Sequence, residues 1–174
     1  MADVLVVQAI SGHGDYYNVT PDTELFGTKW LSASESFSVT SVKLWLDTWN
    51  YPASGNCWIE IYNDSSGNVG TKIGQSDNLA LSTIVAAPGA ECTFVFSTPV
   101  ALTASNPYYF MVNRGASDGG VEVHYYNPGD SGWKGWKGGP GTWAEHMFET
   151  AYIKVYKTEG GGTPINIALA VGGS

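Results

Sequence analysis

CTFVFSTPVALTASNPYYFMVN, residues 92–113, is the stretch that decides the fold. Two runs in it alternate with period two. Cys92, Phe94 and Phe96 fall on one side, with Thr93, Val95 and Ser97 on the other. Tyr108, Phe110 and Val112 then fall on one side, with Tyr109 and Met111 on the other. Successive side chains of a strand point to opposite faces, so this pattern marks strands with one buried face. Pro99 and Pro107 cannot donate to a central ladder and mark strand ends. The stretch predicts two core strands of an all-β domain, with Phe94, Phe96 and Phe110 inside and the chemistry left to the loops.

The same frame extends outward from this pair. In residues 36–47, Val42, Leu44 and Leu46 face in while Lys43, Trp45 and Asp47 face out. In residues 57–63, Cys57, Ile59 and Ile61 face in while Trp58, Glu60 and Tyr62 face out. Ile153 and Val155 face in from the closing run 151–157. Residues 4–10, 28–32, 79–85 and 121–126 are further strand candidates. Gly, Pro, Asp and Asn punctuate the segments between, including 11–27, the turn DSSGNVG and the Gly/Pro-rich stretch 127–142, which predicts no regular element. Residues 145–150 offer one helical turn at most. Eight or so short strands joined by such turns predict a single β-sandwich.

Composition narrows the function classes. Sixteen acidic against eight basic residues give a net charge of −8, which disfavours nucleic acid, since phosphate binding needs a basic patch. No run of about 18 apolar residues exists to span a membrane as a helix. The start MADVLVVQAISG has no basic n-region and too short an apolar run for a secretory signal, so synthesis in the cytoplasm is expected. Cys57 and Cys92 fall on inward positions, where free thiols pack as small hydrophobes; a disulfide would need Cα atoms under about 7 Å apart.

The ordered segments SVTSVKLWL, WIEIYNDSSGNVG, TFVFSTPVALTASNPYYFMV and AYIKVY resemble a loose family of jelly-roll domains found in tailed-phage structural proteins and bacterial surface proteins. The likeness covers roughly residues 36–157. It implies a jelly-roll β-sandwich that is a binding or structural module, with no shared catalytic residues. The expected organisation is an N-terminal arm or strand at 1–20, the sandwich at 21–157, and a Gly-jointed C-terminal tail at 158–174.

Catalytic signatures are sparse. None of His13, His124 and His146 has a Ser or Cys partner in a recognisable motif, and no enzyme is expected. Asn63, Asp64, Ser66 and Asn68 supply oxygens in a short loop, but without the spacing or terminal Glu of an EF-hand; they read as a β-turn, and neither metal nor cofactor is expected. Loop aromatics are the strongest local signal: Trp49 and Tyr51 in one loop, Trp133 and Trp136 in another beside Lys134 and Lys137, then Trp143. Such rings stack on sugars, anchor protein neighbours, or cover an open end of a sandwich.

The tail adds a second signal. Ile165, Ile167, Leu169 and Val171 alternate with small or polar residues after Gly160–Gly162, a pattern for an extended segment. Such a segment docks by strand addition to a sheet edge of a neighbouring copy, or packs back on its own domain. Together with the missing secretory signal and this tail, the family resemblance implies a non-enzymatic structural protein of a virus particle, a capsid decoration or tail component. Its expected partners are other copies of itself and other virion proteins, and neither nucleic acid nor membrane. The alternative is a carbohydrate- or receptor-binding module using the Trp loops.

Overall fold

The computed structural model describes residues 3–9, 15–19, 25–30, 35–49, 54–115, 120–126, 134–139, 141–146 and 150–158. Its strands are β1 (Asp3–Ala9), β2 (Asp15–Val19), β3 (Leu25–Trp30), β4 (Phe37–Trp49), β5 (Asn56–Ser65), β6 (Asn68–Gln75), β7 (Leu79–Ala80), β8 (Ala90–Leu102), β9 (Tyr108–Arg114), β10 (Gly120–Tyr126), β11 (Lys134–Gly138), β12 (Ala144–His146), β13 (Thr150–Ala151) and β14 (Ile153–Thr158). Among the described residues, no helix is long and apolar enough to cross a membrane.

The strands form two antiparallel sheets. Sheet I runs β1-β14-β4-β10-β13, with β8 added on β4 and β2 on β10; sheet II runs β12-β11-β3-β9-β5-β6, with β7 on β5. From β3 onward the chain changes sheet at each long connection: β3 in II, β4 in I, β5–β7 in II, β8 in I, β9 in II, β10 in I, β11–β12 in II, β13–β14 in I. The inward residues of both sheets meet in one core. Val42, Leu44, Leu46, Phe94, Phe96, Val121, Ile153 and Val155 of sheet I pack on Phe26, Trp30, Ile59, Ile61, Phe110 and Val112 of sheet II. This is a β-sandwich, and the five residues Leu44, Ile61, Phe94, Phe96 and Phe110 lie buried in one cluster as the alternation requires. Each such side chain contributes about 1.5–3 kcal/mol on burial.

Cys57 and Cys92 are free thiols. Burial pushes the Cys57 thiol up to about 12 and the Cys92 thiol up to about 11, so neither is a ready nucleophile.

Several local expectations need correction. Segment 11–27 contains β2, paired with β10, and the first residues of β3, so sheet partners impose order where punctuation suggested none. Residues 127–142 contain β11. It pairs with β3 on one side and β12 on the other, and two ladders outweigh the entropy cost of Gly135 and Gly138. Of the segment 145–150, Glu145 and His146 stand in β12 and Thr150 in β13, not in a helical turn, and 147–149 lie outside the described residues. Residues 79–85 form a strand only at Leu79–Ala80; a 3-10 turn at Leu81–Thr83 follows and buries Leu81. The turn after β5 is only Ser66–Gly67, both at positive φ (54° and 89°), a two-residue hairpin loop that leads straight into β6. The expected N-terminal segment supplies β1, paired with β14, as well as β2.

Candidate functional site

The outward positions of sheet II carry the densest polar and aromatic chemistry among the described residues. Register fixes their neighbours. Trp136, Gly27, Met111 and Glu60 form one cross-strand row, flanked by Lys29, Tyr109 and Tyr62 on one side and by Asn113 and Trp58 on the other. These residues point away from the sandwich core, yet most are not in solvent. Leu25, Tyr62, Val69, Tyr109, Met111 and Trp136 make a second apolar cluster, with Trp143 packed against it.

The face is roofed by its own hairpins. Trp143 lies just before β12 and Tyr62 lies on β5, four strands away, about 19 Å across a flat sheet. Their rings nevertheless meet edge to face at 5.3 Å, so the β11–β12 hairpin folds back over the sheet. From the other side Asp64, at the end of β5, reaches across β9 to Lys29 on β3 at 2.8 Å. Tyr109 donates to the same Asp64 oxygen at 2.8 Å and meets Trp136 edge to face at 5.1 Å. Lys29 Nζ sits 5.0 Å above the Tyr109 ring. Burial tends to raise the Asp64 carboxyl, but its hydrogen bonds from Lys29, the Gly67 N–H and Tyr109 outweigh that and hold it below the ordinary carboxylate range.

Glu60 is the hub. It is 5 % exposed, and four donors converge on it. Trp58 Nε1 (2.9 Å), Lys72 Nζ (3.1 Å) and Asn113 Nδ2 (3.2 Å) donate to Oε1, while the Tyr62 hydroxyl donates to Oε2. Burial pushes its carboxyl up; the four hydrogen bonds outweigh that and leave it below the ordinary value, hence ionised at neutral pH. Burial and the adjacent carboxylate push the Tyr62 phenol up, so it stays a donor. A carboxylate held this way positions its neighbours. It is a poor general acid or base, because accepting a proton would break its hydrogen bonds.

Two polar atoms on this face lack partners: Asn113 Oδ1 and Trp136 Nε1, in side chains 7 % and 4 % exposed. The bond from Asn113 Nδ2 to Glu60 fixes the amide orientation, so Oδ1 is the acceptor left over. The accessible part of the face is the half-buried indoles of Trp58 and Trp143 with the exposed Lys72 and Gln75. Lys72 also donates to Gln75 at 3.0 Å.

Of the aromatic residues singled out in the sequence, Trp136 and Trp143 come together on this face. Trp136 stands in a strand and not in a loop, paired in register with β3 and β12, and its indole lies against Tyr109. Trp49 closes β4 and its side chain is not described; Tyr51, Trp133 and the tail residues Ile165, Ile167, Leu169 and Val171 lie outside the described residues. The residues that sequence reasoning passed over are Trp58, Glu60, Tyr62, Lys72, Tyr109 and Asn113. The signal for Trp58, Glu60 and Tyr62 was the outward frame of WIEIY, which is aromatic, acidic, aromatic where a solvent face would be short and polar.

The β5–β6 turn does ordinary turn chemistry. Asp64 accepts from the Gly67 N–H at 2.8 Å and Asn63 Oδ1 accepts from the Thr71 N–H at 2.6 Å. No group of three or more potential metal ligands occurs among the described residues. No protein-family model and no curated protein sequence matches this chain, so the site rests on its own geometry.

Proposed function

We propose that this chain is a non-enzymatic binding module of jelly-roll type that recognises carbohydrate on a cell-surface receptor through the outer face of sheet II. The observation that carries the reading is the Glu60 hub. A four-donor carboxylate fixes Trp58, Tyr62, Asn113 and Lys72 in place, which lowers the ordering cost of binding. Trp58 and Trp143 offer half-exposed ring surface for sugar stacking. Trp58 and Tyr62 are four residues apart on β5, about 13 Å along the strand, and Trp143 stands beside Tyr62. A ligand touching both indoles is therefore an oligosaccharide and not a single sugar. The sheet-to-sheet alternation of β3 to β14 supports the jelly-roll reading.

The test is a screen of immobilised neutral oligosaccharides and bacterial surface polysaccharides against the purified chain. Trp58→Ala and Trp143→Ala are expected to lose at least about tenfold in affinity while keeping a cooperative thermal transition. Retention of full binding by both variants would contradict the reading.

A second reading has its own support. The Gly-jointed, period-two tail at 165–171 and the family resemblance favour a structural component of a tailed-phage virion, a capsid decoration or tail protein that assembles with other copies and other virion proteins. In this reading the chain is made in the host cytoplasm and ends in the particle. The face and the tail are compatible: one recognises, the other attaches. Deleting residues 160–174 is expected to leave a folded domain that no longer multimerises, measured by light scattering before and after truncation. An unchanged oligomer, or a truncated chain that fails to fold, would place the tail with its own core.

A further inference from the structure

On the outer face of sheet I, three ionisable side chains are buried together. Glu122 of β10 lies directly opposite Asp47 of β4, a cross-strand pair with Cβ atoms about 5 Å apart. His124, two residues along β10 on the same face, places Nε2 3.1 Å from Asp47 Oδ2. Exposure is 2 % for Asp47, 6 % for Glu122 and 8 % for His124. The second Asp47 oxygen, Oδ1, has no hydrogen-bond partner. We infer that Asp47, Glu122 and His124 form a proton-binding site at the β4–β10 seam, where one proton held between the two carboxyls locks the seam and its release loosens it.

Apart from His124, the described residues around Asp47 and Glu122 offer the pair no compensating charge. On β4 and β14 the nearest cations, Lys43 and Lys154, are both engaged by Glu91 of β8, Lys43 at 3.3 Å. The turn Ala86–Gly89, whose Gly89 abuts Asp47 Cβ, carries no titratable group. On β2, Asn18 pairs with Glu122 and Tyr16 with His124 in register. Two ionised carboxylates at this distance therefore repel each other in a poorly solvated place. Burial first, then the hydrogen bond and the charge of Asp47, push the Glu122 carboxyl from its ordinary 4.5 up to about 7.

The sign follows from linkage. The closed seam holds a proton that an opened seam releases, so its stabilisation is complete below about 4.5 and is lost as pH rises through about 7. If opening restores the ordinary carboxyl, the full step is worth up to about 300-fold in the opening equilibrium.

Amide hydrogen exchange at pH 5.5 and 8.5, corrected for intrinsic rates, reads this directly. In the native chain, amides of 120–126 are expected to open at least about tenfold more often at the higher pH, while those of β5 hold constant. Glu122→Gln, which keeps a donor toward Asp47 but cannot ionise, is expected to remove the difference. Equal protection at both pH values in the native chain, or the same pH dependence in Glu122→Gln, would overturn the proposal. A carbon-13 carboxyl titration of the native chain decides it without a variant: a Glu122 midpoint near 7 supports the site, and one near 4.5 overturns it.

Discussion

Gly27→Ala is expected to abolish the cooperative unfolding transition or to yield insoluble protein. A methyl at this position would stand 1.9 Å from the Phe110 carbonyl oxygen and 2.8 Å from the Met111 Cα. Both are backbone atoms of the partner strand β9, so no side-chain rotation relieves the clash. The β3–β9 ladder, Phe26↔Val112 through Trp30↔Tyr108, would have to separate. Overpacking of an adaptable core costs about 1–3 kcal/mol; a clash against paired backbone exceeds that, at about 4 kcal/mol or more. With total stabilities of about 5–15 kcal/mol, this is a large fraction of the whole. Circular dichroism and thermal melting check the prediction; a soluble Gly27→Ala protein with a native melting temperature would show that β3 sits differently on β9.

Phe110→Ala is expected to cost about 3–5 kcal/mol through the cavity it leaves. Phe110 is buried at the centre of sheet II, between Thr28 of β3 and Ile61 of β5 in register, and its ring stands 6.2 Å from that of Trp30. Sheet I closes over the same core, so the hole has little freedom to collapse. Urea unfolding reads the loss as a lower midpoint at constant slope. A loss below about 1 kcal/mol would mean that Phe110 is not in the common core.

The core was legible because inward positions obey a strict period of two. Leu44, Ile61, Phe94, Phe96 and Phe110 follow from spacing alone. Short strands stabilised by partners were harder to read. Lys134–Gly138 looks like a loop in composition and becomes a strand only because β3 and β12 flank it. The candidate site was hidden for a different reason. Alternation separates core from non-core, and Trp58, Glu60 and Tyr62 were assigned correctly as non-core. It does not say whether an outward face meets water or another part of the chain. That depends on the fold-back of the β11–β12 hairpin, which puts Trp143 against Tyr62 across four strands. The buried trio on sheet I escaped notice similarly, since Asp47 and His124 are 77 residues apart and only the β4–β10 register joins them.

The central claim is that the outer face of sheet II is a binding surface organised by Glu60. Its most direct test is a two-dimensional nitrogen-15 NMR titration of the intact chain with neutral hexasaccharides of glucose, xylose and N-acetylglucosamine. The indole N–H signals of Trp58 and Trp143 and the side-chain amide of Asn113 are expected to shift together with at least one of these probes, while Trp30 and Trp45 stay still. Shifts confined to other faces, or none with any of the three sugars, would contradict it.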